Sequence, residues 1–134
     1  MVPVDTDVIG RRYPAGEQHE VTAEAVRAFA EATGATWSEG DPVPATYPIV
    51  AAFRAMTAFL DAEGVDLSRI VHGEQRFAYE RPLAVGDRLD VELVVASLRA
   101  IGGNEIVGTA SEVRDADGAL VCTGKATLVH RGDA

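Results

Sequence analysis

Three kinds of hydrophobic pattern run along the chain. The first 21 residues are polar and irregular, with a short strand expected at 18–21. From 23 to 33 the residues Val26, Phe29, Ala30 and Thr33 recur at helical spacing, Thr22 is a good N-cap, Glu24 sits in the first turn, and Gly34 is placed to end the helix. A proline-containing loop covers 35–46. The segment 47–61, YPIVAAFRAMTAFLD, is apolar almost all the way round, broken only by Arg54, with Pro48 suited to a first helical position. A helix that is apolar on every side is a buried helix, so something must cover it on nearly every face.

The rest of the chain changes period. Residues 70–80 read as a strand. Leu89, Val91, Leu93 and Val95 alternate with Arg88, Asp90 and Glu92 at a period of two. Residues 104–114 and 119–129 supply two more strands, separated by the hairpin signal Asp117-Gly118, and Gly102-Gly103-Asn104 marks the turn before them. Two helices, the second buried, followed by long antiparallel strands predict an α+β fold in which a sheet curls around one apolar helix. The 134 residues are the size of one domain.

Composition narrows the partners. The net charge of −9 disfavours nucleic acid and anionic membrane surfaces, both of which need clustered Lys and Arg. Cys122 is the only cysteine, which excludes an internal disulfide and a cysteine-based zinc site; no nearby base lowers its pKa, so a buried structural thiol is expected. No phosphate-loop pattern follows a strand, and no cofactor is expected. The first ten residues lack a basic start and apolar run, and 47–60 is too short to cross a bilayer, so the expected location is the cytoplasm.

The stretch IVHGEQRFAYERPLAVGDRL, 70–89, resembles the signature region of MaoC-like acyl-thioester dehydratases, and is nearest to their N-terminal-type halves, such as the mycobacterial and streptomycete hydroxyacyl-ACP dehydratase subunits. The opening IGRRYP at 9–14 and the helix end VRAFAEATG at 26–34 resemble the same group, so the likeness spans nearly the whole chain. It implies a single hotdog domain over 1–134, acting on ACP- or CoA-linked acyl thioesters. Such enzymes dehydrate (R)-3-hydroxyacyl thioesters or hydrate the enoyl forms, using an Asp and a His five residues apart on the loop after the first helix. Free amides at the buried helix's N-terminus polarise the thioester carbonyl. Laid without gaps from Phe29 and Gly34, the Asp position holds Ala35 and the His position holds Gly40, and the loop reads as shortened. Neither side chain moves a proton. The resemblance therefore implies the subunit that lacks the dyad and lines the acyl tunnel, paired with a second hotdog as homodimer or as heterodimer with an Asp/His-bearing partner.

Individual residues leave alternatives open. Asp41, nearest the lost dyad, is a candidate relocated acid or base, set against ordinary turn chemistry before Pro42. His72 is a candidate polar group near the thioester, set against a strand histidine fixed by a hydrogen bond; strict alternation puts it on one face with Glu74 and Arg76, opposite Gln75, Phe77 and Tyr79. Thr46, Tyr47, Phe53, Met56 and Gln75 are candidate substrate contacts, set against capping and core packing. His19 and His130 read as surface residues. The alternative functions are an active hotdog enzyme with relocated groups (a dehydratase, cyclase or conjugate-addition catalyst) or an acyl thioesterase, for which only Asp41 offers a carboxylate in this chain. No metal is implied.

Overall fold

A computed structural model describes residues 3–132. Its elements are strands β1 (Arg12–Pro14) and β2 (His19–Glu20), helices α1 (Ala23–Ala32) and α2 (Ile49–Ala62), and strands β3 (Ile70–Tyr79), β4 (Arg88–Ile101), β5 (Asn104–Arg114) and β6 (Leu120–His130). The sheet order is β1-β4-β5-β6-β3, all antiparallel, with β2 also on β4. The sheet curves around α2, which packs on β4, β1 and β5. This is the hotdog arrangement. No helix among the described residues is long and apolar enough to cross a membrane.

Local chemistry sets the boundaries. The Thr22 hydroxyl accepts from the Ala25 amide at 3.1 Å, and Gly34 follows the helix at φ 82°. Ile101 pairs directly with Asn104, so Gly102 and Gly103 alone make the turn, at φ 58° and 83°. A two-residue hairpin of this kind needs both central residues left-handed, which only glycine does cheaply. Strand β1 lies in the stretch read from sequence as irregular, and is too short to show an alternation.

The core joins α2 (Ala51, Ala55, Met56, Phe59, Leu60) to the inward residues of the sheet, including Leu89, Leu93, Val95, Val107, Val113 and Leu128. Phe59 meets Tyr13 edge-on at 5.0 Å between centroids. One stripe of α2 is left uncovered: Phe53, Arg54 and Asp61 are exposed, with Val50 and Thr57 half-buried beside them. The cover expected on nearly every face is thus incomplete within this chain.

Two histidines depart from their surface reading. His19 is 8% exposed and shares a 2.7 Å hydrogen bond between Nε2 and the hydroxyl of Tyr47, itself wholly buried. His130 is 3% exposed, and its Nδ1 donates to Glu105 Oε1 at 2.8 Å. The Glu105 carboxylate also accepts the Val4 amide, 3.1 Å from each oxygen, which ties the N-terminal segment to β5. Both histidines sit at inward register positions that open spacing in the sequence did not reveal.

Candidate functional site

The motif R-P-L-x-V-G-D at 81–87 proves to be a staple. Arg81 donates from Nη1 to Asp87 Oδ2 at 2.9 Å and from Nη2 to Oδ1 at 3.3 Å, and reaches Asp115 at 3.5 Å. Asp87 Oδ2 also accepts the Ala84 amide at 2.8 Å, closing the turn. Asp115 is held below the usual carboxylate range chiefly by the amides of Ala119 and Asp117, with Arg81 adding to them. The motif fixes the β3–β4 connection.

The loop between the helices is pinned by Trp37, which sequence reasoning passed over. Its ring is 6% exposed, with the Arg27 guanidinium 5.8 Å from its centroid. Its Nε1 donates to the carbonyls of Asp41 and Pro42, at 3.2 and 3.1 Å. Asp41 completes the turn: its Oδ2 accepts the Ser38 amide at 2.9 Å and its own amide donates to Ser38 O. Gly40 stands between them at φ 96°. Gly40, Asp41 and Trp37 border an open cleft of about 330 Å³ that Leu83 and Val85 close from the other side. Tyr79 joins the loop to β3 by donating to Ala45 O at 2.5 Å, and burial raises its phenol to about 12.

The chain enters α2 through a tight turn. The amides of Ile49, Val50, Ala51 and Ala52 donate to Thr46 O, Tyr47 O and, twice, Pro48 O, at 2.9–3.1 Å, while Pro48 has no N–H. The expectation of free amides aimed outward at this helix end is not met, because the preceding turn supplies acceptors for them. Thr46 is exposed, and Tyr47 is in the core against Phe29 and His19, ring centroids 5.6 and 5.7 Å away. Burial raises the Tyr47 phenol and lowers His19, the nearby Arg54 charge adding to the latter.

A different set of residues converges elsewhere. Phe53 and Met56, with Ile49 and Ala52, face a narrow cleft between α2 and the sheet. His72 and Gln75 of β3 face it from the other side, and Thr109 and Ser111 of β5 form its floor. His72 joins Gln75 because β3 is bulged: His72 pairs with Leu128 and Glu74 with Thr127, leaving Gly73 as the extra residue. Strict alternation is therefore wrong across this point, and His72 faces α2 with Gln75, away from Glu74 and Arg76. The His72 Nε2 donates to Gln75 Oε1 at 2.9 Å. Of the residues singled out from sequence, Phe53, Met56, His72 and Gln75 come together, while Asp41, Thr46 and Tyr47 lie apart. Cys122 is wholly buried, and burial raises its thiol to about 11. Among the described residues no cluster of His, Cys, Asp or Glu is arranged to hold a metal.

A family model described as FAS1-like, dehydratase domain region, matches residues 7–124. The chain belongs to this family of MaoC-like hotdog domains. The MaoC-like chain is 36% identical over 148 residues to a UPF0336 protein of Saccharopolyspora erythraea, covering 99% of this chain and 95% of that protein. It is 40% identical over 147 residues to a UPF0336 protein of Clavibacter michiganensis, covering 98% and 99%. Both aligned stretches exceed 134 residues, so these relatives carry residues that the MaoC-like chain lacks. Among solved structures, a chain of the C-terminally truncated HadBC (3R)-hydroxyacyl-ACP dehydratase complex of Mycobacterium tuberculosis superposes with a TM-score of 0.80 at 28% identity, covering 92% of this chain and 98% of that one. HtdX of the same organism shares the fold, with a TM-score of 0.75 at 23% identity over 90% of this chain and 51% of that one.

Proposed function

We propose that this chain is the acyl-chain-binding, non-catalytic subunit of a paired (R)-3-hydroxyacyl-ACP or -CoA dehydratase, completed by a second hotdog that brings the Asp–His pair. The observation that carries the reading is the loop at 35–46. Its dyad positions hold Ala35 and Gly40, and Trp37 and Asp41 hold it in a closed turn. Dehydration removes a proton from the α-carbon and expels the β-hydroxyl as water. Each positioned acid or base supplies roughly 10²–10⁴ in rate, and these two residues supply neither. The amides of Ile49 to Ala52 are already engaged, so they offer the thioester carbonyl little polarisation. What remains is a binding surface: Phe53, Met56, His72 and Gln75 around one cleft.

The surface around that cleft supports pairing. β3 bonds to β6 on one side, and among the described residues no strand lies on its other side. An unpaired ten-residue edge is a site for strand addition. The uncovered stripe of α2 through Phe53 adjoins it, so a second hotdog docked edge to edge covers both. In this reading residues 1–134 act as one hotdog domain in the cytoplasm.

The test is to assay hydration of crotonyl and longer enoyl thioesters by the purified chain, alone and with Asp/His-bearing MaoC-like partners. The chain alone is expected to give no turnover above background, and a partner is expected to restore it and to co-sediment with the chain. Robust hydration by this chain alone overturns the reading. One observation favours the alternative of relocated catalytic groups: among the described residues, His72 is the only titratable side chain lining the cleft. If the chain alone is active, His72→Gln then identifies the group. The thioesterase alternative lacks support, because no carboxylate lines that cleft and the Asp41 carboxylate caps Ser38.

A further inference from the structure

The floor of the cleft beside α2 is more polar than a site for a plain alkyl chain requires. Thr109 and Ser111 are alternate residues of β5, both on the face toward α2, and are 4% and 5% exposed. Their strand neighbours on β4 at these positions, Val95 and Leu93, are core residues. The inward positions on either side, Val107 and Val113, are valines, so an apolar side chain fits this register. Neither hydroxyl has a hydrogen-bond partner among the described residues, yet no side-chain polar atom there is fully enclosed without one. Both hydroxyls therefore keep some solvent contact, and both residues line the cleft. Gly124, paired with Ser111, leaves room for Gln75: an added Cβ would stand 3.0 Å from Gln75 Nε2 and 3.0 Å from the Phe77 ring. Donors and acceptors from β3 and β5 thus look onto the same space.

Resting on the acyl-binding role proposed above, we infer that this cleft selects acyl chains that carry oxygen, as hydroxyl or ketone beyond the 3-position, over plain alkyl chains of equal length, with Thr109 and Ser111 as the specificity-determining residues. An alkyl segment laid across these hydroxyls removes them from water and returns no hydrogen bond. An oxygen-bearing segment pairs with them, and a site built to bond a substrate oxygen rejects the analogue that lacks it. A hydroxyl donates as well as accepts, so the pair serves either oxygen type. With Phe53 in its present place the cleft encloses about 10 Å³, space for about one water. Phe53 is 43% exposed at the rim in the single chain, and its ring must move aside for an acyl chain to enter. A single water held by the two hydroxyls is the competing occupant.

The experiment compares the dodecanoyl thioester of pantetheine with its 5-, 7- and 9-oxo analogues. None carries a 3-hydroxyl, so binding is read calorimetrically without turnover, on the full chain alone and with its Asp/His-bearing partner. At least one oxo analogue is expected to bind about tenfold tighter than dodecanoyl, a difference of about 1.4 kcal/mol. The double variant Thr109→Val/Ser111→Ala, which nearly conserves volume, is expected to abolish the preference, chiefly by tightening dodecanoyl binding. Tight binding of all four thioesters at parity overturns the inference, leaves the acyl-binding role standing, and identifies the floor as a water site. A preference that survives in the double variant also overturns the assignment of these residues. Failure of every thioester to bind, with and without the partner, overturns the acyl-binding role itself and this inference with it.

Discussion

His72 and Gln75 lie three residues apart on one strand, yet point to the same face and are joined by a 2.9 Å hydrogen bond, because Gly73 is bulged out of the ladder between them. His72 is exposed and its bond is local. Replacing it by Ala should therefore move stability by no more than about 0.5 kcal/mol. Enoyl-thioester binding in the paired complex should weaken by roughly threefold to tenfold, the net worth of about one hydrogen bond. A thermal melt and a titration on the same variant separate the two; a large stability loss with unchanged binding would show that His72 serves the fold alone.

Placing Asp and His at positions 35 and 40 should not create dehydratase chemistry. Gly40 holds φ at 96°, where residues with a Cβ are strained, and its turn is fixed by Trp37 and Asp41. Ala35→Asp/Gly40→His is expected to lose about 1–3 kcal/mol of stability and to show no crotonyl-thioester hydration. Urea unfolding and an absorbance assay check both halves.

The 81–87 staple predicts a stability effect without a functional one. Asp87→Ala removes the acceptor of the Ala84 amide and the partner of Arg81. The turn bond is worth about 1 kcal/mol, while the half-exposed ion pair adds little. The variant should therefore unfold about 1 kcal/mol earlier, with only a small dependence on salt, and should keep its affinity for acyl thioesters.

Buried His19 predicts a dependence on pH. Burial, with the charge of Arg54 behind it, lowers its pKa below the ordinary 6.5, so the folded state favours the neutral ring. The unfolded chain takes up the proton first as pH falls. The stability associated with neutral His19 is therefore whole above about 6.5, is lost as pH drops below that, and stops falling beneath the folded-state pKa. His19→Gln should flatten the change in melting temperature between about pH 7.5 and 5 relative to the unaltered protein. An unchanged slope would assign the acid sensitivity to groups other than His19.

Sequence alone determined the elements whose physics is local. The α1 cap at Thr22, the all-round apolar α2, the alternation of β4 and the glycine turn at 102–103 each follow from periodicity or backbone preference over a few residues, and together they dictate a sheet around a helix. That Ala35 and Gly40 carry no acid or base was equally visible, because the chemistry of a side chain needs no coordinates. Tertiary structure decided what depends on register and on distant neighbours. A bulge leaves no reliable mark in an alternating pattern, so the side of β3 that holds His72 was set only by its pairing with β6. The burial of His19 depended on Tyr47, 28 residues away, and that of His130 on Glu105, 25 residues away. The polar floor of the cleft existed only once β5 lay under α2. Local rules fix how a segment folds, whereas the polar groups left facing one another depend on which strands become neighbours.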